Sequence, residues 1–447
     1  MTSSELSPAA PAAIELAARI RERRAVIGIV GLGYVGLPLA LAYTERGFPV
    51  LGFDVDPTKI DAIERGEGYL RHLGSERLRA ATAAGFSATT DFSRLGEPDA
   101  VLICVPTPLT PQREPDLSYV VRSAEQIRDC LRPGQIVVLE STTWPGTTDE
   151  VLAPLLAESG LVPGRDFFLA FSPEREDPGN RDFSTTTIPK VVAGADPVSA
   201  DLAQALYDAV IARTVLVSST RVAEAAKLTE NIFRAVNIAL VNELKVVYDR
   251  MGIDVWEVLD AAATKPFGFL RFNPGPGWGG HCIPLDPFYL TWKAREHGVT
   301  PHFIERAGEV NRHMPDWVIE KLALALNDHG KPVKGSRVLV LGLAYKKDVD
   351  DTRESPAFIL IDHLLRLGAE VEYHDPHVPV APRVRSRPEL PPMECRPLTP
   401  EVLQGVDVVL LVTDHSAVDY GQVLRHAPLI VDTRGIFRDP DPRVVRA

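Results

Sequence analysis

A glycine cluster between an apolar run and a helix-like stretch constrains the fold of this chain more than any other feature. Residues 25–30 are apolar and lead into a G-x-G-x-x-G turn at 31–36, and a helix is predicted over 37–46. Asp54 ends the next apolar run, at the spacing expected for an acid that binds a ribose. This order predicts a βαβ unit that holds the pyrophosphate of a dinucleotide at the start of its helix.

Length, charge and cysteine content restrict the class of protein. A chain of 447 residues exceeds what one hydrophobic core usually organises, so two or three domains are expected. The net charge of −12 opposes binding to nucleic acid, which needs clustered Lys and Arg. The four cysteines are widely spaced and form no Cys-x-x-Cys pair, which is typical of a reducing compartment and predicts the cytoplasm.

The N-terminal residues contain one stretch that resembles a membrane span. Residues 25–43 carry no charge, but their glycines and Pro38 favour a short buried strand that turns into a helix. Charged residues interrupt the apolar ones before residue 25, so no signal peptide is predicted. We therefore expect no membrane partner. Residues 1–24 are interpreted as an extension, disordered over 1–11 and helical over 12–24.

Apolar runs alternate with helical stretches, which predicts an α/β fold: two Rossmann-like, doubly wound domains joined by a long central helix. The first domain, 25–212, binds the dinucleotide, a central helical domain with the Cys282 loop spans 213–330, and a second αβ block spans 331–447. Strands are predicted at 25–30, 50–54, 100–105, 136–139, 167–171 and 190–193, and then at 338–342, 370–375, 406–412 and 429–432. A further helix is predicted over 356–367, and the proline-rich stretch 378–392 is interpreted as a surface excursion.

The central helix is predicted from a stretch that lacks helix breakers. Residues 220–251 contain neither proline nor glycine, so the helix is expected to be roughly 45 Å long at 1.5 Å per residue. Its apolar positions Ile232, Val236, Leu240 and Leu244 exceed what one small domain covers. This pattern predicts a dimer surface.

Cys282 is the strongest candidate for covalent chemistry. It lies in the glycine-rich loop 275–287, where glycines let backbone amides and a substrate approach closely. A thiol becomes nucleophilic as the thiolate, whereas the structural alternative is a buried cysteine in a tight turn. His281 precedes it, but the chain has no His-x-x-x-His or Cys/His cluster with ligand spacing. We therefore predict no metal and interpret His281 as orienting substrate or structure.

Two polar residues on the central helix have both a catalytic and a structural interpretation. Lys227 and Asn231 stand four apart and share one helix face, where they could stabilise an oxyanion. In the alternative, Lys227 is a solvated side chain that pairs with Glu224 or Glu230.

Three carboxylates are also open to two interpretations. Glu174, after a predicted strand, could act as a general base or cap the strand end. Asp286 could hold a water or cap the helix that begins near Pro287. Asp54 could bind a ribose and favour NAD over NADP, or hold a local turn through Pro57.

Taken in order, these motifs resemble the UDP-glucose/GDP-mannose dehydrogenase family, whose members oxidise a sugar C6 alcohol to a carboxylate with two NAD. The resemblance runs from about residue 25 to residue 437. The matching motifs are the glycine turn 31–36, Ser141-Thr142, Ser172-Pro173-Glu174, Lys227 with Asn231, residues 279–282 with Asp286, and the signature 346–355.

The resemblance implies catalytic roles. Cys282 would attack the C6 aldehyde, Lys227 and Asn231 would stabilise the oxyanion, and Asp286 with Thr142 would position a water. A covalent thioester would keep the sugar on the protein and split one hard oxidation into easier steps.

Further implied roles concern hydrolysis and binding. Glu174 would assist hydrolysis of the thioester. The implied NAD-binding residues are Gly31, Gly33, Tyr34, Val35, Gly36, Asp54, Lys59, Thr107, Thr142 and Arg353. The implied substrate-binding residues are Glu174, Lys227, Asn231, Arg271, Gly279 and Lys346.

The resemblance also bears on the sugar and the assembly. Segments 172–180 and 280–290 are most similar to the UDP-N-acetylglucosamine 6-dehydrogenase branch, which implies oxidation to UDP-N-acetylglucosaminuronate for polysaccharide biosynthesis. Arg271 departs from that branch and leaves UDP-glucose, UDP-N-acetylmannosamine and UDP-N-acetylgalactosamine open as substrates. The implied partner is a second copy of the chain, in a homodimer or a higher assembly.

Two other classes of function are alternatives to a nucleotide-sugar dehydrogenase. A single-step β-hydroxyacid dehydrogenase is similar in its Rossmann domain and Lys-x-x-x-Asn pair, but it needs no thiol and lacks the second αβ block. A nucleotide-sensing scaffold without activity is opposed by the competent side chain at every proposed catalytic position.

Overall fold

The computed structural model describes residues 11–70, 73–110, 112–175, 185–280, 283–384 and 387–447. The chain forms two compact units. The N-terminal unit comprises residues 1–230 and 288–298, and the C-terminal unit comprises residues 231–287 and 299–447. Each unit contains one β-sheet and the helices that cover it.

The N-terminal unit is built on an eight-stranded sheet with the order β3-β2-β1-β4-β5-β6-β7-β8. Its central strands are buried along their whole length, as expected for parallel strands with helices on both faces. The strands are β1 Ile27–Val30, β2 Val50–Phe53, β3 Phe86–Thr89, β4 Ala100–Ile103, β5 Ile136–Leu139, β6 Phe168–Phe171, β7 Lys190–Gly194 and β8 Thr214–Leu216. Because β1 pairs with both β2 and β4, the strand order reverses beside it, where ligands of such sheets bind.

Seven helices complete most of this unit. They are α1 Pro11–Arg21, α2 Gly36–Glu45, α3 Pro57–Glu64, α4 Ser75–Ala83, α5 Ser118–Cys130, α6 Ala153–Ala157 and α7 Pro197–Asp208. Side-chain caps fix several starts: Asp56 accepts from the amide of Thr58 at α3, and Asp196 accepts from Val198 at α7. Residues 1–10 of the predicted lead-in lie outside the described residues.

Strands β3 and β8 were not predicted from the sequence. Both are short edge strands that are partly exposed, so their apolar pattern is weak. The direction of β7 is a second difference, because it pairs with β6 in antiparallel fashion within an otherwise parallel arrangement. Its first residue, Lys190, therefore lies at the edge where β5 and β6 end.

The C-terminal unit contains a five-stranded sheet with the order β10-β9-β11-β12-β13, in which every pairing is parallel. The strands are β9 Arg337–Leu341, β10 Glu370–His374, β11 Val408–Leu411, β12 Ile430–Asp432 and β13 Val444–Arg446. The last of these was not predicted from the sequence. Together with the first sheet and the long helix, this arrangement confirms the predicted fold class.

The remaining helices are α8 Thr220–Arg250, α9 Val255–Ala263, α10 Asp286–Glu296, α11 His302–Asp328, α12 Pro356–Arg366, α13 Pro400–Gln404 and α14 Tyr420–His426. The sequence did not predict α11, because Pro315 lies inside it and normally breaks a helix. Within the described residues, no helix combines the length and the apolar character needed to cross a membrane.

Helix α8 is 31 residues long and confirms the predicted central helix. Its exposed apolar residues differ partly from those expected. Leu240 is exposed, but Ile232, Val236 and Leu244 are half-buried. Phe233 and Val247 are exposed instead, seven residues on either side of Leu240.

Asp375 organises the glycine turn of the C-terminal sheet. This buried carboxylate follows β10 and accepts hydrogen bonds from the amides of Leu343 and Ala344, at 2.7 and 2.9 Å, in the turn after β9. It also accepts from His415 Nε2 at 3.0 Å. Burial alone raises the pKa of Asp375, but the hydrogen bond and charge of His415, followed by backbone amides, lower it to about 2.

Acid should therefore destabilise the C-terminal unit through Asp375. The folded-state pKa of about 2 lies below the ordinary 3.8, so the stabilisation is complete above pH 3.8 and is lost as pH falls through 2. The free energy of unfolding in urea should fall by about 2 kcal/mol more in the wild type than in Asp375→Asn between roughly pH 5 and pH 2. Asp328→Asn, at an exposed carboxylate, is the control, and parallel pH profiles for wild type and Asp375→Asn would contradict the assignment.

Candidate active site

The glycine turn between β1 and α2 is shaped to admit a ligand. Gly31 has a φ of +93°, and a side chain there would meet the carbonyl oxygen of Cys104 at 2.7 Å. A methyl group on Gly36 would meet the carbonyl oxygen of Gly31 at 1.9 Å, so only glycine allows this close packing of helix and strand. At Gly33 a methyl group would meet no atom within 4 Å, which leaves that side of the turn open.

Asp54 fixes this turn from the end of β2. Its Oδ2 accepts from the amide of Leu32 at 2.8 Å and from Lys59 Nζ at 2.8 Å, and its Oδ1 accepts from the amide of Asp56 at 3.0 Å. The local-turn interpretation is thus part of what Asp54 does, although Asp56 is the residue that caps α3. A carboxylate has about four acceptor positions, so Asp54 keeps capacity for a ribose hydroxyl.

These residues fit a dinucleotide. The first turn of α2 has no side-chain cap, and its amides favour a pyrophosphate. Tyr34 and Val35 lie half-buried in the same turn, and the side chain of Lys59 is also half-buried beside Asp54. When bound, a nicotinamide cofactor would accept hydride, and Asp54 with the glycine turn would hold its adenosine half.

The loops after β4 and β5 lie along the same edge of the sheet. Ser141 Oγ donates to the carbonyl oxygen of Val105 at 2.7 Å, which ties the two loops together, and Thr142 beside it is half-buried. Thr107 is buried, and its carbonyl oxygen accepts from Tyr289 Oη at 2.6 Å. Tyr289 belongs to α10 and follows the glycine-rich loop 275–287, here called the thiol loop. The hydrogen bond therefore anchors this helix to the loop that contains Thr107, a predicted NAD-binding residue.

Glu174 and Lys227 meet in the N-terminal unit. Lys227 is buried, and its Nζ donates to the backbone carbonyl oxygen of Glu174. The side chain of Glu174 is half-buried, and its Oε1 accepts from the amide of Arg175 at 2.7 Å. The carboxylate of Glu174 also lies 3.5 Å from Lys190 Nζ.

The structural alternative for Lys227 was wrong. Glu224 accepts instead from the amide and the hydroxyl of Thr148, at 2.9 and 2.7 Å. Glu230 pairs with Arg175 at 2.6 Å. Lys227 is therefore neither solvated nor paired with these two carboxylates.

Asn231 and Asp286 meet in the C-terminal unit. Both side chains are buried, and Asn231 Nδ2 donates to Asp286 Oδ2. Arg234 donates to the amide oxygen of Asn231, which leaves the Nδ2 group facing Asp286. Asp286 is the first residue of α10, one position before the predicted start.

Two residues of α8 that the sequence analysis missed hold the start of the thiol loop. The amide of Gly275 donates to Asn242 Oδ1 at 2.9 Å, and its carbonyl oxygen accepts from Lys245 Nζ at 3.0 Å. Asn311 from α11 supports Asn242 at 2.8 Å. The available signal was the placement of an amide and a lysine on the apolar face of a long helix, where polar groups need partners.

The glycines before Cys282 pack against the 345–355 segment within the same unit. A methyl group on Gly279 would meet Tyr345 Cβ at 2.7 Å, and one on Gly280 would meet the Tyr345 ring at 2.9 Å. The amide of Gly280 donates to the carbonyl oxygen of Arg353 at 3.0 Å. Glycine is thus required at positions 279 and 280, because the Tyr345 side chain leaves no room for a Cβ atom.

The distal signature places two predicted residues near this packing. Lys346 follows Tyr345 and is half-buried. The guanidinium of Arg353 donates three hydrogen bonds to Asp351, of which the shortest is 2.6 Å, and the side chain of Arg353 remains 39% exposed. Arg271 lies apart from these, paired with Asp260 and donating to Asn273 Oδ1 at 3.0 Å. His281 and Cys282 lie outside the described residues.

One further cluster of the C-terminal unit has the residue types of a metal site. Ligand atoms of Asp348, His377 and His415 lie within 4.8 Å of one another. However, Nδ1 of His415 accepts from the amide of Asp348 at 3.0 Å, and its Nε2 bonds to Asp375. With both ring nitrogens engaged, this histidine is explained by its structural hydrogen bonds.

Comparisons with known proteins agree across the chain. Residues 25–211 match the UDP-glucose/GDP-mannose dehydrogenase family, NAD binding domain. Residues 221–313 match the central domain of that family, and residues 339–439 match its UDP binding domain. The three matches follow the order of the N-terminal sheet, helix α8 and the C-terminal sheet.

Individual relatives carry different substrate names. UDP-N-acetyl-D-glucosamine 6-dehydrogenase of Pseudomonas aeruginosa is 39% identical over 79% of this chain and 83% of its own length. NDP-N-acetyl-D-galactosaminuronic acid dehydrogenase of Ralstonia nicotianae is 35% identical over 92% and 96%. The solved structure of UDP-D-ManNAc dehydrogenase from Pyrococcus horikoshii has a TM-score of 0.85 at 32% identity and covers 94% of this chain and 98% of its own.

The geometry of Asp54 predicts a preference for NAD over NADP, because its carboxylate would face the 2′-phosphate of NADP. Asp54→Ala should reduce the ratio of kcat/KM for NAD to that for NADP by at least about tenfold, or ~1.4 kcal/mol. The ratio is the proper measure, since loss of the Leu32 contact should lower activity with both cofactors. Asp56→Asn, which alters the α3 cap, is the matched control. An unchanged ratio in Asp54→Ala would refute the assignment.

Proposed function

Since the chain belongs to the UDP-glucose/GDP-mannose dehydrogenase family and is therefore an NAD-dependent oxidoreductase, we propose that it oxidises the C6 alcohol of a UDP-sugar to the carboxylate. The change is a four-electron oxidation. It consumes two NAD, since each accepts one hydride when bound. The thiolate of Cys282 adds to the aldehyde formed by the first oxidation, and transfer of the second hydride to NAD converts this adduct to a covalent thioester.

In this proposal each of the described residues has a separate role in the chemistry at Cys282. Lys227 and Asn231 stabilise the oxyanion that forms when the thiolate of Cys282 adds to the aldehyde. Asp286, with Thr142, positions a water for proton transfer, and its hydrogen bond to Asn231 supports this role.

Hydrolysis of the thioester requires a base and a water. Glu174 takes this role in the proposal, and its backbone is held by Lys227. Lys346 and Gly279 contact the nucleotide-sugar, and Arg353 contacts the cofactor. The Arg353 side chain is 39% exposed, which is compatible with a contact to a ligand.

The packing of Gly279 and Gly280 carries the proposal. A segment that leads directly into a cysteine is held against Tyr345, beside Lys346, with so little space that only glycine fits. This packing supports the proposal, because Tyr345 and Lys346 belong to the part of the chain that matches a UDP binding domain.

The proposal predicts two NADH for every UDP-sugar consumed, measured by absorbance against sugar loss. Cys282→Ala should lower carboxylate formation by at least about a hundredfold while NAD affinity stays unchanged. Cys130→Ser, at a half-buried cysteine of α5, is the matched control and should retain activity. One NADH per sugar with released aldehyde, or near wild-type turnover in Cys282→Ala, would overturn the thioester mechanism.

We propose UDP-N-acetylglucosamine as the sugar, with UDP-N-acetylglucosaminuronate as the product. The support is the similarity of segments 172–180 and 280–290 to that branch, together with the 39% identity to the enzyme of Pseudomonas aeruginosa. Relatives named for N-acetylmannosamine and N-acetylgalactosaminuronic acid make those sugars the alternatives, and Arg271 adds UDP-glucose. We place the reaction in polysaccharide precursor synthesis in the cytoplasm, consistent with the spaced cysteines.

A panel of four sugars decides the substrate. We expect kcat/KM to be highest for UDP-N-acetylglucosamine, followed by UDP-N-acetylgalactosamine, UDP-N-acetylmannosamine and UDP-glucose, each compared under the same NAD concentration. If UDP-glucose gave the highest value, the substrate assignment would be wrong while the mechanism stood.

We also propose that a second copy of the chain covers α8. Phe233, Leu240 and Val247 are 48%, 52% and 45% exposed and recur every seventh residue, so they form one apolar stripe. Light scattering at micromolar protein should give the mass of a dimer or a higher assembly, and Leu240→Glu should lower it. A mass of one chain for the wild type would contradict the proposal.

A further inference from the structure

Two carboxylates and one lysine meet at the carboxyl ends of β5 and β6 in the N-terminal sheet. Glu140 follows β5 and Glu174 lies three residues beyond β6, while Lys190 begins β7. Strand β7 is antiparallel to β6, with Phe171 opposite Ala193. This direction brings the first residue of β7 to the end of β6. A parallel β7 would have placed Lys190 at the opposite edge.

The ammonium of Lys190 lies between the two carboxylates. Its Nζ is 2.7 Å from Glu140 Oε2 and 3.5 Å from Glu174 Oε2. It also donates to the carbonyl oxygen of Pro173 at 3.3 Å. The exposed fraction of the side chain is 5% for Lys190, 0% for Glu140 and 14% for Glu174. Lys190 therefore contacts both the backbone and the side chain of the Pro173-Glu174 segment.

Glu140 supports Lys190 from the protein interior. The hydroxyl of Tyr207 donates to the second oxygen of Glu140, and the ring of Tyr207 lies 5.2 Å from the Lys190 ammonium. Burial would lower the pKa of Lys190, but the carboxylates of Glu140 and Glu174 outweigh it and raise that pKa. The two carboxylates therefore favour the charged form of Lys190, while burial raises the pKa of Glu140.

Stability alone does not explain this arrangement. A buried ion pair contributes little net stability compared with apolar residues of similar volume, because both ions lose their hydration. The pair does, however, fix the position of any third group that it contacts. In this unit that group is the carboxylate of Glu174, whose Oε2 lies 3.5 Å from Lys190 Nζ.

We propose that Lys190 is a positioning residue, which, with Glu140 as its internal counter-ion, fixes the Glu174 carboxylate for hydrolysis of the covalent thioester. This inference rests on the proposed function. In the hydrolysis step a water oxygen adds to the thioester carbon, and a proton of that water passes to the Glu174 carboxylate. The carbon–sulfur bond then breaks with its electron pair on Cys282 Sγ, and the sugar leaves as the acid.

The role is specific to one step. Lys227 holds the backbone of Glu174, and Lys190 holds its side chain. We therefore expect loss of Lys190 to act on the Glu174 carboxylate rather than on addition of the thiol or on the glycine turn 31–36. The two oxidations should proceed while release of the product becomes slow.

The test removes both charges of the pair at once, since Lys190→Met alone would leave Glu140 buried without its partner. In the double variant Lys190→Met with Glu140→Gln, rapid mixing with UDP-N-acetylglucosamine and NAD should give a burst of two NADH per active site. Steady-state kcat should then fall on the order of tenfold to a hundredfold, with KM for NAD unchanged. Mass spectrometry of quenched protein should show the sugar bound to Cys282.

Two further variants complete the test. Lys190→Arg keeps the charge and should recover part of kcat with less covalent adduct, and it serves as well if the double variant does not fold. Lys321→Met breaks a comparable lysine–carboxylate pair, 2.8 Å from Asp249 in the C-terminal unit, and should show neither the burst nor the adduct.

The outcomes separate this inference from the function on which it rests. Wild-type protein that does not form two NADH per sugar would overturn the proposed function. If the wild type does so, then unchanged kcat in the double variant, or a fall in kcat without accumulation of the adduct, would overturn the role of Lys190 alone.

Discussion

Both sheets depend on the same interaction. A carboxylate at the end of a β-strand accepts hydrogen bonds from backbone amides of the neighbouring glycine turn. Asp54 accepts from Leu32 in the N-terminal unit, and Asp375 accepts from Leu343 and Ala344 in the C-terminal unit. Each turn begins with a glycine of nearly equal positive φ, +93° at Gly31 and +92° at Gly342. The carboxyl ends of the two sheets thus share one arrangement of a carboxylate and a glycine turn.

The two carboxylates differ in how many donors they already hold. Asp375 receives four backbone amides and His415, which exhausts the acceptor positions of a carboxylate. Asp54 receives two amides and Lys59, which leaves capacity for a ligand. The same arrangement is therefore saturated with donors in one unit and has room for a further donor in the other.

Much of this organisation could be predicted from the sequence, because it depends on local patterns. The strands around the glycine turn, the long helix α8 and the second αβ block follow from apolar runs, from glycine and from the absence of helix breakers. The edge strands β3, β8 and β13 have short or mixed patterns, and Pro315 concealed α11. The strand direction of β7 depends on pairing with β6, which no local pattern contains.

The residues of the candidate active site also differ in whether a local sequence pattern identifies them. Glu174, Lys227, Asn231 and Asp286 belong to short motifs and could be named from the sequence. Glu140 and Lys190 could not, because they meet only across 50 residues of the chain. Asn242 lies on the apolar face of α8, which was a signal that it needs a partner, but that partner, Asn311, is 69 residues away. Polar groups of this kind are recognised only when burial is known.

Helix α8 binds two separate segments of the C-terminal unit at fixed points along its length. Asn231 holds Asp286, while Asn242 and Lys245 hold Gly275. Each added residue would turn one anchor about 100° around the helix axis relative to the other. The helix can therefore vary in the identity of its exposed residues, but not in their number between these anchors. An insertion or a deletion between Asn231 and Lys245 would therefore break one of the two anchors, so the number of residues in this part of α8 fixes the spacing between the Gly275 segment and Asp286.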